Sequence, residues 1–148
     1  MFKNSSILTL IAIFVYGFAS SQKPTFNHLA IYVADLEKSS AFYREVIGLD
    51  TMANPFRDNK HVWFVIGDKM ELHMIAGATA QSEHARNNHL CFSVPSVEVF
   101  TGKLVKTGIS YENLMGSKNE MTIRPDGVRQ IYFTDPDGYW IEINDAKK

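Results

Sequence analysis

His28-Leu29-Ala30-Ile31-Tyr32-Val33 recurs in the second half of the chain as His89-Leu90-Cys91-Phe92-Ser93-Val94. Side chains alternate across a strand, so residues two apart share a face. Leu29, Ile31 and Val33 therefore point one way, and His28, Ala30 and Tyr32 the other. In the second copy Leu90, Phe92 and Val94 oppose His89, Cys91 and Ser93. Each copy is a strand with one apolar face, led by a histidine on the opposite face.

The segments after the two copies also match. Asp35 suits the N-cap of a helix, and Leu36, Phe42, Tyr43, Val46 and Ile47 lie near one side of it. Gly48 fits the left-handed position beyond its end. In the second half Ser96 is the expected cap, Val97, Phe100, Leu104 and Val105 form the stripe, and Gly108 closes the helix. Short strands come next at about 51–52, 61–66 and 70–75, and again at about 121–124, 129–134 and 139–144. Gly67-Asp68, Pro125-Asp126-Gly127 and Pro136-Asp137-Gly138 supply the turns. The reading is α+β, with two tandem βαβββ modules at about 26–75 and 88–145, joined by a polar linker at 77–87.

The same alternation locates the chemistry. In the fourth strand Leu72 and Met74 face the helix, so Glu71, His73 and Ile75 face away. In the last strand Ile141 and Ile143 face the helix, so Trp140, Glu142 and Asn144 face away. Four strands thus place His28, Glu71, His89 and Glu142 on the faces opposite the helices, in the order His, Glu, His, Glu. If the two curved mixed sheets pack together, those faces line a cup. Carboxylates in an enclosed cup need a partner. Two imidazoles and two carboxylates are the donors a divalent metal takes while keeping positions open for water or substrate.

Several other residues are weighed beside these four. His73 shares Glu71's face and is equally suited to touching a ligand or to a structural hydrogen bond. Trp63, Tyr32, Trp140 and Tyr132 are for the most part expected to fill core rather than line the cup. Arg57, Arg124 and Arg129 are candidates for an anionic substrate group, with a solvated surface position the stronger expectation for each.

The composition sets the outer bounds. The chain has 148 residues, 45% hydrophobic and 21% charged, with a net charge of −1. That suits one globular domain, and the lack of a basic stripe argues against nucleic acid as a partner. Cys91 is the only cysteine, so no disulfide forms within the chain. Residues 1–21 differ from the rest. Lys3 precedes an apolar run from Ile7 to Phe18, and small residues lead to Gln22, which is the layout of a secretory signal peptide. The run is short for a membrane span, which takes roughly 20 apolar residues. The expectation is an exported domain at 22–148, periplasmic or secreted, with no membrane association after cleavage.

Taken together, these segments resemble the vicinal oxygen chelate superfamily, which includes glyoxalase I, fosfomycin-resistance proteins and extradiol dioxygenases. The resemblance is carried by His28 to Asp35, Phe42-Tyr43, Gly48-Leu49, Glu71-Leu72 and Asn88-His89-Leu90. Its strongest element is Asp135-Pro136-Asp137-Gly138-Tyr139-Trp140-Ile141-Glu142-Ile143, which is similar to the end of glyoxalase I. The resemblance implies paired βαβββ modules curling around a metal held by His28, Glu71, His89 and Glu142. It implies Ni, Zn, Co, Mn or Fe as the ion, a small oxygen-chelating substrate, and a lyase or isomerase reaction through an enediolate. Glu142 and Glu71 are then the catalytic carboxylates, with Glu142 the favoured base. It is also compatible with a homodimer, and leaves open whether the site lies within one chain or across two.

Two other readings stay open. Without Glu71, the set His28, His89 and Glu142 matches an Fe(II) extradiol-type dioxygenase. A third reading is a non-catalytic binding or resistance protein. The segment after Glu71, Leu72-His73-Met74-Ile75-Ala76-Gly77, departs from the Asn-Trp element usual in glyoxalase I, which separates the metal site from any claim about glutathione.

Overall fold

The first strand is built as its alternation requires. In a computed structural model that describes residues 22–79 and 83–147, β1 runs from His28 to Val33 with Ile31 and Val33 buried and His28, Ala30 and Tyr32 exposed. The leader expected at 1–21 lies outside the described residues. Among the described residues no helix is long and apolar enough to cross a membrane.

The element order repeats. After β1 come α1 (Leu36–Phe42), β2 (Thr51–Met52), β3 (His61–Gly67) and β4 (Met70–Ala76). The second module has β5 (His89–Ser93), α2 (Val97–Lys106), β6 (Thr122–Ile123), β7 (Arg129–Thr134) and β8 (Trp140–Asn144). Asp35 caps α1 by accepting from the Lys38 amide, and Ser96 caps α2 by accepting from the Val99 amide. Beyond Phe42 the chain widens into a π-helical turn (Tyr43–Ile47) that ends at Gly48, whose φ of 89° needs a residue without a Cβ. The β3–β4 turn falls one residue later than expected, on Asp68 and Lys69, with Lys69 itself left-handed at φ 59°.

Each module folds into its own four-stranded mixed sheet. The orders are β1-β4-β3-β2 and β5-β8-β7-β6, with β1 parallel to β4 and β5 parallel to β8. The parallel pairing needs a crossover, which the helix of each module supplies. The two sheets do not join into one closed barrel.

One hydrophobic cluster joins the modules. It includes Ile31, Val33, Tyr43, Phe64, Leu72 and Met74 from the first, and Val97, Phe100, Leu104, Ile131, Phe133, Ile141 and Ile143 from the second. Phe42 and Phe100 both pack on Phe133, at centroid distances of 6.3 and 6.2 Å. The helix-facing residues expected from alternation are thus the shared core, and the histidines and glutamates lie on the other side.

A buried polar latch crosses the same boundary. Asp137, in the β7–β8 turn, accepts from the Ala34 amide at 2.7 Å and from the Ser39 hydroxyl. Asp135 accepts from the Tyr43 hydroxyl at 2.9 Å and from the amides of Asp137 and Tyr139. Burial pushes the Asp135 carboxyl above its usual range, although these donors oppose the shift. The Asp-Pro-Asp-Gly run is therefore both a turn and the clasp that holds α1 to the second sheet.

Candidate metal centre

Parallel pairing of β1 with β4 sets His28 opposite Glu71. His28 donates through Nδ1 to the Asn27 side-chain oxygen at 2.8 Å, which in the neutral imidazole puts the lone pair on Nε2. His73 is two residues along β4 from Glu71. Its Nε2 lies 2.7 Å from Glu71 Oε2, and its ring stacks between His28 (4.2 Å) and Trp63 (3.6 Å). Glu71, His28, His73 and Trp63 line one pocket of about 500 Å³, with Asn27, Ala30, Phe56, His61 and Ile75 around them.

The second module repeats the pair with a tighter shell. The Arg86 carbonyl accepts from His89 Nδ1 at 2.8 Å, so in the neutral imidazole Nε2 carries the lone pair. That Nε2 lies 3.2 Å from Glu142 Oε2. Glu142 also accepts from the Tyr132 hydroxyl at 2.7 Å, the Asn144 amide at 2.8 Å and the Cys91 thiol at 3.5 Å. Burial alone would raise the Glu142 carboxyl. The donors Asn144, Tyr132 and Cys91, with His89 beside them, outweigh it and hold the group below its usual range. Tyr132 moves the other way, pushed up by burial and then by the carboxylate it donates to.

The donors fit a cation. Metal–nitrogen and metal–oxygen bonds of about 2.0–2.2 Å put neighbouring ligands about 3.0–3.5 Å apart, and the His89–Glu142 separation of 3.2 Å falls in that range. Two electron-pair donors facing each other at this distance need a proton or a metal between them. The four residues nevertheless meet as two pairs. Among the described residues no three His, Cys, Asp or Glu side chains are arranged to hold one ion. His28 and Glu71 line one pocket, while His89 lines another with Trp140, Tyr139 and Asn88.

The expectations for the aromatic residues need correcting. Tyr132 is buried but is a hydrogen-bond donor to Glu142 rather than plain filling, and Trp63 lines the His28–Glu71 pocket. Tyr32 is 52% exposed, and its backbone N–H and carbonyl both meet the Tyr139 hydroxyl. Trp140 is half-buried, with its indole N–H on the His84 carbonyl. Arg129 pairs with Glu98 and Asp145, and Arg124 with Asp126, all near the surface. Asn144 is the residue the sequence had the means to find. It stands to Glu142 as His73 stands to Glu71, two residues on and on the same face.

A family model described as the Glyoxalase/Bleomycin resistance protein/Dioxygenase superfamily matches residues 25–143. The chain belongs to that superfamily. Among its relatives, "Glyoxylase I 4" of Arabidopsis thaliana is 25% identical over 123 residues, covering 79% of this chain and 68% of that protein. A lactoylglutathione lyase of Pseudomonas aeruginosa is 22% identical, with 86% of each chain covered. The structure is also similar to a glyoxalase family protein of Bacillus anthracis, with a TM-score of 0.64 and 26% identity over 84% of this chain and 97% of that one. The oxidase ChaP-H2 gives a TM-score of 0.69 at 21% identity, covering 84% and 94%, and shares the fold. Superfamily members generally use a divalent metal and small-molecule substrates, and many pair as dimers.

Proposed function

We propose that this superfamily member is a metal-dependent lyase or isomerase of the glyoxalase type, acting on a small substrate with two neighbouring oxygens, and that a second copy of the chain completes its metal centre. The observation that carries the reading is the matched pair of imidazoles. Each is tied through Nδ1 to a carbonyl-type oxygen, with Nε2 left on a strand face beside a glutamate of the same module. One module offers one nitrogen and one oxygen, and two modules offer the four donors a divalent ion takes. In a two-fold dimer, the first module of one copy facing the second module of the other would give two full sets.

A Ni, Zn, Co, Mn or Fe ion held there would supply Lewis-acid stabilisation of the charge that develops on the substrate oxygens. The chain's own residues divide the remaining work. Glu142 is held by donors from Tyr132, Asn144 and Cys91, which suits a fixed anionic ligand. Glu71 pairs with His73, and Val65 stands opposite it where Tyr132 stands opposite Glu142. Glu71 is the carboxylate with freedom to swing and carry a proton between adjacent carbons. The resemblance favoured Glu142 for that role, and the hydrogen bonding supports the opposite assignment.

Elemental analysis and a methylglyoxal–thiol hemithioacetal assay test the reading together. Glu142→Gln is expected to lose the metal. Glu71→Gln is expected to keep most of it and lose turnover by about 10²-fold or more. Retention of both metal and turnover in the two variants would sink the site. Oxygen uptake with Fe(II) and a catechol would move the reaction to the dioxygenase class. Export through the 1–21 leader is part of the same reading, and N-terminal sequencing of the mature protein is expected to start near Gln22.

A further inference from the structure

We infer that the pocket beside His28 and Glu71 receives a planar, uncharged aromatic group of the substrate, seated against Trp63 and Phe56. The inference rests on the metal-centre reading only for where the substrate's oxygens lie.

The lining is the first observation. Phe56, His61, Trp63 and His73 supply four rings to a pocket of about 500 Å³, with Ala30 and Ile75 completing its apolar part. That volume suits a one- or two-ring ligand. The rings are ordered as a set. Trp63 stacks on His73 at 3.6 Å with 18° between planes, Phe56 meets Trp63 edge-on at 6.0 Å, and Phe56 lies 4.8 Å from His61. Among the described residues no lysine or arginine lines the pocket, and Glu71 already puts a carboxylate there. An anionic tail would find no lysine or arginine to pair with there, whereas a neutral ring meets π-faces and edges.

The second observation is how Phe56 is held. Phe56 is 62% exposed although its ring meets Trp63 and His61, so much of the ring stays open at the pocket rim. The loop that carries it is nonetheless tightly bonded. The Asn54 side chain accepts from the Phe56 amide and donates to Asp58 and to the His61 carbonyl. Asp58 in turn accepts from His61 and from the Lys60 amide, and the His61 bond is the main reason its carboxyl falls to about 2. Arg57, next to Phe56, takes the left-handed conformation at φ 53°. A loop that spends this much bonding to hold an apolar ring at a pocket rim has a use for the ring. The third observation is the Trp63 indole N–H, which is buried without a hydrogen-bond partner. Trp63 is part of the pocket wall, so a shift of its ring would bring this donor to a ligand acceptor.

Two hydroxamates separate the ring from the chelate. Benzohydroxamate and acetohydroxamate present the same pair of oxygens and differ in the phenyl group. The protein is loaded with Zn²⁺, and Trp140→Phe leaves Trp63 as the one remaining tryptophan of the two in the sequence. Binding is followed by calorimetry and by Trp63 fluorescence. Benzohydroxamate is expected to bind about tenfold or more tighter than acetohydroxamate. Phe56→Ala, an exposed loop change that leaves the core intact, is expected to bring the ratio to within about twofold of one, and Trp63→Ala to do the same. Equal affinities in the parent protein would overturn the aromatic pocket while leaving the metal centre standing. If neither hydroxamate binds, the metal-centre reading falls and benzyl alcohol decides the pocket by itself. Saturable quenching of Trp63 that Phe56→Ala abolishes upholds it, and no saturable quenching overturns it.

Discussion

Tyr132 donates its hydroxyl to Glu142 at 2.7 Å, and the matching place opposite Glu71 in the first sheet is held by Val65. Two modules with the same plan therefore treat their glutamates differently. One carboxylate is anchored from several sides, and the other leans on a histidine. The difference breaks the pseudo-symmetry of the proposed centre and gives its two acids different freedom to move.

Tyr132→Phe removes that anchor and also strands the Gln130 side chain, which donates to the same hydroxyl at 2.9 Å. The expected stability loss is about 1.5–3 kcal/mol, since the lost bond goes to a charged group. Metal affinity is expected to fall about 10–100-fold, as for other changes to groups that orient a ligand. Chelator competition measures the second effect. Unchanged affinity would show that Tyr132 serves the fold alone.

The second-copy proposal predicts complementation. His28→Ala and His89→Ala each remove one imidazole from every site. Unfolded together and refolded as a mixture, they form hybrid dimers in which one site has both histidines. Random pairing then restores metal to about a quarter of sites. A site within one chain would recover nothing, and metal stoichiometry distinguishes the two.

The latch between modules predicts a stability effect without a metal effect. Tyr43→Phe leaves Asp135 without its side-chain donor in a buried place. About 1–3 kcal/mol of stability is expected to go, read from urea unfolding. Ser39→Ala, which removes a donor to Asp137, is expected to act in the same direction. Zn²⁺ affinity of the folded protein is expected to stay unchanged in both.

Glu142 sets part of the acid response of the metal-free protein. Its folded value lies below the ordinary 4.5, so the unfolded chain takes up the proton first as pH falls. The stabilisation is complete above about 4.5 and is lost as pH drops through the lower folded value. Thermal melts of chelator-treated protein are expected to show a shallower acid decline in Glu142→Gln than in the parent. Equal slopes would remove Glu142 from the account.

Much of the molecule was legible before folding because it is local. The caps at Asp35 and Ser96, the left-handed Gly48 and Gly108, and the two faces of β1, β4, β5 and β8 follow from residue type and a period of two. That period suffices to put His28, Glu71, His89 and Glu142 opposite the helices. It carries no information on antiparallel register, so Tyr132 read as core although it faces Glu142. Nor does it reveal a contact between distant segments, so the Asp135–Tyr43 bond went unseen.

The largest difference concerns how the four donors meet. The sequence by itself determined which strand face each of the four candidate donors takes, because alternation is a property of the backbone. Only the tertiary structure decided that they assemble as His28 with Glu71 and His89 with Glu142. The distance between the two sheets is set by how α1, α2, Phe42, Phe100 and Phe133 pack in the shared core, and no spacing along the chain encodes that.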